Sequence, residues 1–106
     1  MEEIMLKGKS AIITGASRGI GKAIAIKFAK EGANIVINYR NNEEEALMVK
    51  EELELLGVKT LIVKADISDL KQAENLIKQA KKEFGQVDIL INNAGITKDN
   101  LIAWKL

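Results

Sequence analysis

The stretch that decides the fold reads Thr14-Gly15-Ala16-Ser17-Arg18-Gly19-Ile20-Gly21, and it lies between an apolar run and an amphipathic one. Its glycines have the spacing G-x-x-x-G-x-G, which suits a turn from a buried strand into a helix. Gly15 would turn the chain off the strand, Gly19 would let the backbone approach a phosphate, and Gly21 would let the helix pack closely on the sheet. The helix N-terminus would then present N–H groups and a positive dipole end to a pyrophosphate. A tight turn with no ligand is the alternative interpretation.

A nucleoside-triphosphatase phosphate loop fits this stretch poorly. The pattern G-x-x-x-x-G-K-[S/T], if it ended at Gly21-Lys22, would need a glycine where Ala16 stands and a hydroxyl where Ala23 stands. The glycine turn therefore favours a dinucleotide over a triphosphate.

On both sides of the turn, short runs rich in Ile and Val alternate with amphipathic stretches, which is typical of βαβ units. The predicted strands are Ser10–Thr14, Asn34–Asn38, Thr60–Val63 and Ile89–Ile91. The apolar faces predicted for the three helices are Ile20, Ala23, Ile24 and Phe28; Ala46, Val49, Leu53 and Leu56; and Ala73, Leu76, Ile77, Ala80 and Phe84. Gly32, Gly57 and Gly85 follow these helices as left-handed closing residues, and Asp69 with Gln72 would form a capping box on the third.

The element order β1-α1-β2-α2-β3-α3-β4 predicts an α/β fold, the first half of a three-layer Rossmann-like parallel sheet with strand order 3-2-1-4. All 106 residues would form one dinucleotide-binding domain. Ligands bind such sheets at the carboxyl ends of the strands, where the strand order reverses. Thr14–Gly21 and Asn92–Gly95 would meet there, between strands one and four.

Composition removes several function classes. The sequence has no histidine and no cysteine, so the usual zinc ligands, thiol nucleophile and imidazole base are all missing. A net charge of +1 gives no reason to expect a nucleic-acid partner. The start Met1-Glu2-Glu3 is acidic, and no apolar run is long enough for a membrane span, so we expect a cytoplasmic protein without a membrane partner.

The end of the second predicted strand bears on the choice of cofactor. NAD(H) usually meets an acidic residue there, but the sequence reads Asn38-Tyr39-Arg40-Asn41, with no acid before Glu43. Arg40 would pair with a 2′-phosphate, and Arg18 could reach the same group. We therefore expect NADP(H). If Arg40 is only a solvated loop charge, Asn38 or Asn41 would still tolerate NAD(H).

Two motifs together resemble those of the short-chain dehydrogenases/reductases. The first is the T-G-x-x-x-G-x-G of residues 14–21, and the second is Asn92-Asn93-Ala94-Gly95 after the fourth strand. The resemblance extends to about Leu101. The continuation Gly95-Ile96-Thr97-Lys98-Asp99-Asn100-Leu101 is most similar to the branch of the family that reduces 3-oxoacyl thioesters of acyl-carrier protein in bacterial fatty-acid synthesis.

The resemblance implies further roles at the cofactor site. Asp66 would accept from the exocyclic amine of adenine and Ile67 would pack on its ring. Without the resemblance, an aspartate before a capped helix could equally have only a structural role in the turn. Asn93, Ala94 and Gly95 would hold the ribose side, whereas Asn92 would tie neighbouring strands together. The candidate cofactor-binding residues are Gly15, Ala16, Ser17, Arg18, Gly19, Ile20, Gly21, Arg40, Asp66, Ile67, Asn93, Ala94 and Gly95.

Family members reduce ketones with a Tyr-x-x-x-Lys pair, a serine and an asparagine, and the resemblance places all four beyond Leu106. Tyr39 is the only tyrosine and has Glu43, not lysine, four positions on. The ending Ile102–Leu106 also departs from the family pattern. We therefore expect a truncated chain that does not catalyse hydride transfer alone. Strand four, with Ile89, Leu90 and Ile91, would be an open apolar edge that promotes self-association.

Three functions remain open from the sequence. The chain would be the cofactor half of a 3-oxoacyl-thioester reductase, or of a reductase that acts on another ketone or alcohol. It would otherwise be a stand-alone nucleotide-binding module, or a scaffold half that needs a complementary fragment.

Overall fold

The computed structural model describes residues 5–93 and the backbone of residues 102–105. Along the chain the elements are β1 (Ser10–Ile13), α1 (Gly19–Lys30), β2 (Asn34–Tyr39), α2 (Glu43–Leu55), β3 (Thr60–Lys64), α3 (Leu70–Phe84), β4 (Ile89–Asn92) and β5 (Ile102–Lys105). The seven elements predicted from the sequence are all present in the predicted order. Within the described residues, no helix is long and apolar enough to cross a membrane.

The strands form one sheet of order β3-β2-β1-β4-β5. β1 pairs in parallel with β2 and with β4, and β2 pairs in parallel with β3. This arrangement confirms the Rossmann-like fold and the strand order 3-2-1-4. It also brings the carboxyl ends of β1, β2, β3 and β4 to the same edge of the sheet, where the candidate site lies.

The expectation of an open edge at strand four is wrong. β5 pairs antiparallel with β4, with Leu90 opposite Trp104 and Ile91 opposite Ala103. The backbone groups on that side of β4 therefore have a neighbouring strand, and Ile91 is only 4% exposed. The open edge, which was the physical reason to expect self-association, does not exist in this structure.

Apolar side chains cover both faces of the sheet, as the unbroken apolar runs predict for a buried parallel sheet. Ala11 and Ile13 of β1 pack in a cluster with residues of α1 and α2. Ile12, between them, points to the opposite face and packs in a second cluster with Leu76 and Ala80 of α3. The sheet is thus the middle layer of three.

The buried face of α1 differs from the predicted one. It consists of Gly21, Ala25 and Ala29, while Ile20 is 50% exposed and Ala23 is also exposed. The i, i+4 row of small residues lets this helix lie close to the sheet, and the larger Ile24 and Phe28 pack at its sides.

The other two helices follow the predicted faces more closely. α2 buries Ala46, Val49 and Leu53 but leaves Leu56 42% exposed, since that residue lies just past the helix end. α3 buries Leu76 and Ala80, and Ile77 and Phe84 pack beside them.

The helix ends confirm most of the predicted signals. Gly32, Gly57 and Gly85 have φ values of 94°, 91° and 80°. Asp69 caps α3 by accepting from the N–H groups of Lys71 and Gln72. The capping box is incomplete, because the Gln72 side-chain oxygen accepts from the Asp66 N–H at 2.8 Å instead of from Asp69.

Candidate functional site

The glycine turn joins β1 to α1 with the backbone that its sequence predicts. Gly15 and Gly19 have φ values of 61° and 60°, which side chains larger than glycine rarely adopt. Asn42 and Asp69 cap α2 and α3 with their side chains, whereas the side chain of Arg18, the N-cap residue of α1, makes no capping hydrogen bond. Within the part of the chain that the structure describes, the first N–H groups of α1 therefore lack the N-cap side-chain partner that the other two helices have.

Gly21 has a different role from the other two glycines. A Cβ atom there would lie 2.7 Å from the side-chain nitrogen of Asn93 and closer still to the Gly15 carbonyl oxygen. The predicted close packing is therefore real, but it is made against the turn and the end of β4. At Gly19 a Cβ atom would meet open space, so this face of the turn is clear for a ligand.

Thr14 fastens the end of β1 to the end of β4. Its hydroxyl donates to the side-chain oxygen of Asn92 at 3.0 Å and accepts from the Asn93 N–H at 2.8 Å. The Asn93 side chain in turn donates to the Gly15 carbonyl at 3.2 Å. The expectation that Asn92 ties neighbouring strands is confirmed, and Asn93 anchors the glycine turn.

Asn38 fastens the turn to the other two strand ends. It is 2% exposed and accepts from the Gly15 N–H at 3.3 Å. Its side-chain nitrogen donates to the carbonyls of Ala65 at 3.0 Å and Val63 at 3.3 Å. One buried amide thus fixes the spacing between the glycine turn and the segment that follows β3.

A cavity of about 690 Å³ opens over the glycine turn. The residues that line it are Gly15, Ser17, Arg18, Gly19, Ile20, Tyr39, Arg40, Asn41, Asn42, Glu45 and Asn93. Two guanidinium groups beside an uncapped helix N-terminus make this cavity suited to an anion.

A second cavity of about 280 Å³ lies next to it, between the ends of β2 and β3. Its lining residues are Gly15, Asn38, Arg40, Ala65, Asp66, Ile67 and Ser68. The two cavities share Gly15 and Arg40, so together they form a trough along the carboxyl ends of the strands. The shape and the two arginines of the trough suit an elongated ligand that carries an anionic group.

Arg40, which lines both cavities, forms an ion pair with Asp66, which lines the smaller one. The distance between the Arg40 Nη2 and the Asp66 Oδ2 is 3.5 Å. The other carboxylate oxygen of Asp66 accepts from the Ser68 hydroxyl at 2.6 Å and the Ser68 N–H at 3.0 Å. These two bonds are the main cause that lowers the pKa of Asp66, and Arg40 contributes further. Asp66 is therefore ionised at neutral pH.

Two further ionisable side chains line the larger cavity. Burial raises the pKa of Tyr39, and the nearby charge of Glu43 raises it further, so its phenol remains neutral at pH 7. Glu45 accepts from the Asn42 side chain at 3.0 Å with Oε1. Its other oxygen, Oε2, is buried and has no hydrogen-bond partner within the described part of the chain.

The structure brings most of the predicted cofactor residues together. Those that line the trough are Gly15, Ser17, Arg18, Gly19, Ile20, Arg40, Asp66, Ile67 and Asn93. Ala16 and Gly21 are not among the lining residues; Ala16 is fully buried and donates its N–H to the Asn38 carbonyl at 3.0 Å. Ala94 and Gly95 lie outside the described residues, as does the Ile96–Leu101 continuation.

Several residues of the site were not predicted from the sequence. Asn38 was considered only as a residue that would tolerate NAD(H), but its side chain is buried and hydrogen-bonded. Glu45 and Ser68 were not considered as site residues. An asparagine at the end of an apolar strand, as in Ile37-Asn38-Tyr39, is the signal from which a buried bridging amide could have been predicted.

Residues 9–104 match the family model described as short chain dehydrogenase. A 3-oxoacyl-[acyl-carrier-protein] reductase FabG of Staphylococcus aureus is 46% identical over 94 residues, which cover 89% of this chain and 38% of that protein. The FabG of Staphylococcus epidermidis matches with the same identity and coverage. The chain thus spans about two fifths of the length of these relatives.

Solved structures show the same similarity in three dimensions. A short chain dehydrogenase from Burkholderia cenocepacia, in complex with NADP, has a TM-score of 0.84 and 40% identity over 92% of this chain and 42% of its own. A dehydrogenase/reductase from Sinorhizobium meliloti has a TM-score of 0.84 and 42% identity, covering 89% of this chain and 37% of its own.

Proposed function

The chain belongs to the short-chain dehydrogenase family of oxidoreductases, and on that premise we propose that it forms the NADP(H)-binding part of a reductase that acts on 3-oxoacyl thioesters of acyl-carrier protein. The observation that carries the proposal is the cavity over the uncapped N-terminus of α1, which Arg18 and Arg40 both line. The sequence similarity to the FabG proteins supports the choice of substrate.

The glycine turn would hold the pyrophosphate of the cofactor. The open space at Gly19 lets a phosphate approach the backbone, and the N-terminus of α1 supplies N–H groups and a positive dipole end. Thr14 and Asn38 would act indirectly, since they hold the turn in place from the strands on both sides.

Arg40 would bind the 2′-phosphate, and Arg18 would add a second positive charge in the same cavity. A guanidinium binds phosphate oxygens through charge-assisted hydrogen bonds, which are stronger than neutral ones. The similarity to a structure that contains NADP supports this assignment. The smaller cavity would take the adenine, with Asp66 at its amine and Ile67 against its ring.

A bound nicotinamide cofactor supplies a hydride in such a reaction. The residues of this chain would bind and orient that cofactor. Tyr39 is unsuited to donate the proton that ketone reduction requires, because burial and Glu43 raise its pKa, whereas a catalytic acid needs a pKa near the working pH. We therefore propose that the 106-residue polypeptide by itself transfers no hydride.

NAD(H) is the second candidate cofactor, and Glu45 is the observation that favours it. Glu45 lines the larger cavity, and its carboxylate is an acceptor that would repel a 2′-phosphate and suit a free ribose hydroxyl. Glu45 thus offers at the start of α2 the kind of acid that the end of β2 lacks.

Calorimetric titration of the purified chain with NADPH and with NADH tests the binding proposal. We expect NADPH to bind more tightly than NADH. We also expect Arg40→Gln to weaken the binding of NADPH and to leave the affinity for NADH nearly unchanged. Tighter binding of NADH would favour the second candidate, and binding of neither would contradict a cofactor function.

A separate assay follows NADPH absorbance in the presence of an acetoacetyl thioester. We expect no oxidation above the buffer blank from the 106-residue chain. Oxidation that depends on both chain and thioester would show that the chain carries its own catalytic group.

A further inference from the structure

Arg40, which the proposed function assigns to the 2′-phosphate, already has a carboxylate partner in the structure. Its guanidinium lies 3.5 Å from Asp66, and Asp66 is its one ion-pair partner within the described residues. The two residues come from different strand ends, since Arg40 follows β2 and Asp66 follows β3. The ion pair therefore joins Arg40, which lines both cavities, to Asp66, which lines the smaller one.

The aspartate is the fixed member of this pair. Ser68 holds one carboxylate oxygen with two hydrogen bonds, and Gln72 accepts from the Asp66 N–H at 2.8 Å. The remaining oxygen is thereby directed at Arg40. The Arg40 side chain is 71% exposed, against 32% for Asp66, so the arginine is the member that is free to change partners.

This arrangement affects the two cofactors unequally. A 2′-phosphate must compete with Asp66 for the Arg40 guanidinium, and its charge also lies close to an ionised carboxylate. A nucleotide with a free 2′-hydroxyl has no phosphate there that must bind Arg40, so it does not compete with Asp66. Any contact of Asp66 with the adenine would contribute equally to NADPH and NADH, because their adenines are identical.

We propose that Asp66 is a specificity-determining residue, which lowers the preference of this site for NADPH over NADH by acting as the resident counter-ion of Arg40. The inference rests on the proposed function. Exposed ion pairs contribute little, so the effect is modest: without the Asp66 charge, the ratio of the NADH to the NADPH dissociation constant rises about two- to fivefold.

The test measures this ratio by calorimetry for the full chain and for Asp66→Asn, which keeps the shape and removes the charge. Asp66→Ser is a second uncharged variant, and the same ratio is measured with it if Asp66→Asn does not fold. Glu31→Gln is the matched control, because Glu31 is 28% exposed and pairs with Lys27 at 3.7 Å on another part of the surface. Both Asp66 substitutions are repeated in an Arg40→Gln background.

We expect the ratio to rise in both Asp66 variants, to stay unchanged in Glu31→Gln, and to rise clearly less in response to Asp66 once Arg40 is replaced. An unchanged or lower ratio overturns the inference even if both cofactors bind. An equal rise in the Arg40→Gln background also overturns it, since the effect would then not involve the ion pair. Failure of the parent chain to bind either cofactor refutes the proposed function, and the inference with it.

Discussion

At the scale of single residues, the site depends on how little space a glycine occupies. Gly21 lies inside α1, where alanine would normally be the better helix former. Its missing side chain leaves room for the Gly15 carbonyl and for the Asn93 amide, which hydrogen-bond to each other at 3.2 Å. Steric exclusion and helix propensity therefore oppose each other at this position.

We predict that steric exclusion is the larger effect. Gly21→Ala should lower the free energy of unfolding by about 1–3 kcal/mol, because the new methyl group forces the turn away from α1. Urea denaturation measures this. Ala23→Gly, the reverse exchange at an exposed position of the same helix, should cost only about 1 kcal/mol of helix propensity. A Gly21→Ala variant as stable as the parent chain would show that the turn yields easily.

The spacing of the glycines was enough to predict the turn, because Gly15 and Gly19 need backbone angles that few other residues tolerate. The partners of Gly21 were not predictable, since they depend on how far α1 lies from the turn and from β4. The contact of Arg40 with Asp66 was missed for a related reason. Each residue was assigned to a ligand, and spacing along the chain does not reveal that their side chains meet.

At the scale of the elements, three strand ends are held together by the side chain of Asn38. Its side-chain oxygen accepts from the Gly15 N–H, and its side-chain nitrogen donates to the carbonyls of Val63 and Ala65. All of these groups lie close to the base of the trough, where Gly15, Asn38 and Ala65 line the smaller cavity. The spacing of β1, β2 and β3 at this edge is therefore set by hydrogen bonds as well as by apolar packing.

Asn38→Leu should lower the free energy of unfolding by about 2–4 kcal/mol, because it leaves buried polar backbone groups without partners. Asn34→Leu is the control, since Asn34 lies at the other end of β2 and its side chain accepts from the exposed Lys59 N–H at 3.0 Å. That variant should lose only about 1 kcal/mol. Thermal or urea unfolding followed by circular dichroism compares the two, and equal losses would argue against a special role for Asn38.

The type and order of the elements could be predicted from the alternation of apolar runs and amphipathic stretches. Buried parallel strands and the helices between them differ in the spacing of their apolar residues and in their composition. β5 was not predicted. Its four residues, Ile102–Lys105, were assigned to a sequence ending that departs from the family pattern, and antiparallel pairing to β4 leaves no distinct signal in so short a segment. The buried face of α1 was misjudged because large apolar residues were favoured over the small ones that permit close packing.

At the scale of the whole molecule, the strands of the sheet are shielded from solvent to different degrees. β1 and β2 have strands on both sides, and Ile12, Ile13, Ile35, Val36 and Ile37 are all 0% exposed. β3 is an outer strand with half-buried Leu61 and Ile62 and an exposed Lys64. The centre of the molecule is thus the pair of strands whose ends carry the glycine turn and Asn38.

Amide hydrogen exchange should show this gradient. We predict that the amides of β1 and β2 exchange about tenfold or more slowly than those of β3, because an edge strand opens without disturbing the centre of the sheet. Mass spectrometry of peptides from each strand, after timed exposure to heavy water, resolves the difference. Equal protection of β1, β2 and β3 would mean that the sheet opens only as a unit.

The hydrogen bond between Thr14 and Asn93 joins residues 79 positions apart, whereas the one between Gly15 and Asn38 joins residues 23 apart. During synthesis, the glycine turn emerges early and meets β2 soon afterwards, but its second anchor becomes available only when residue 93 has left the ribosome. Long-range contacts of this kind form late, because the intervening chain must first be ordered. A nascent chain would therefore carry the sequence of the glycine turn long before the turn is held from both sides, and the final geometry of this edge of the sheet would form late.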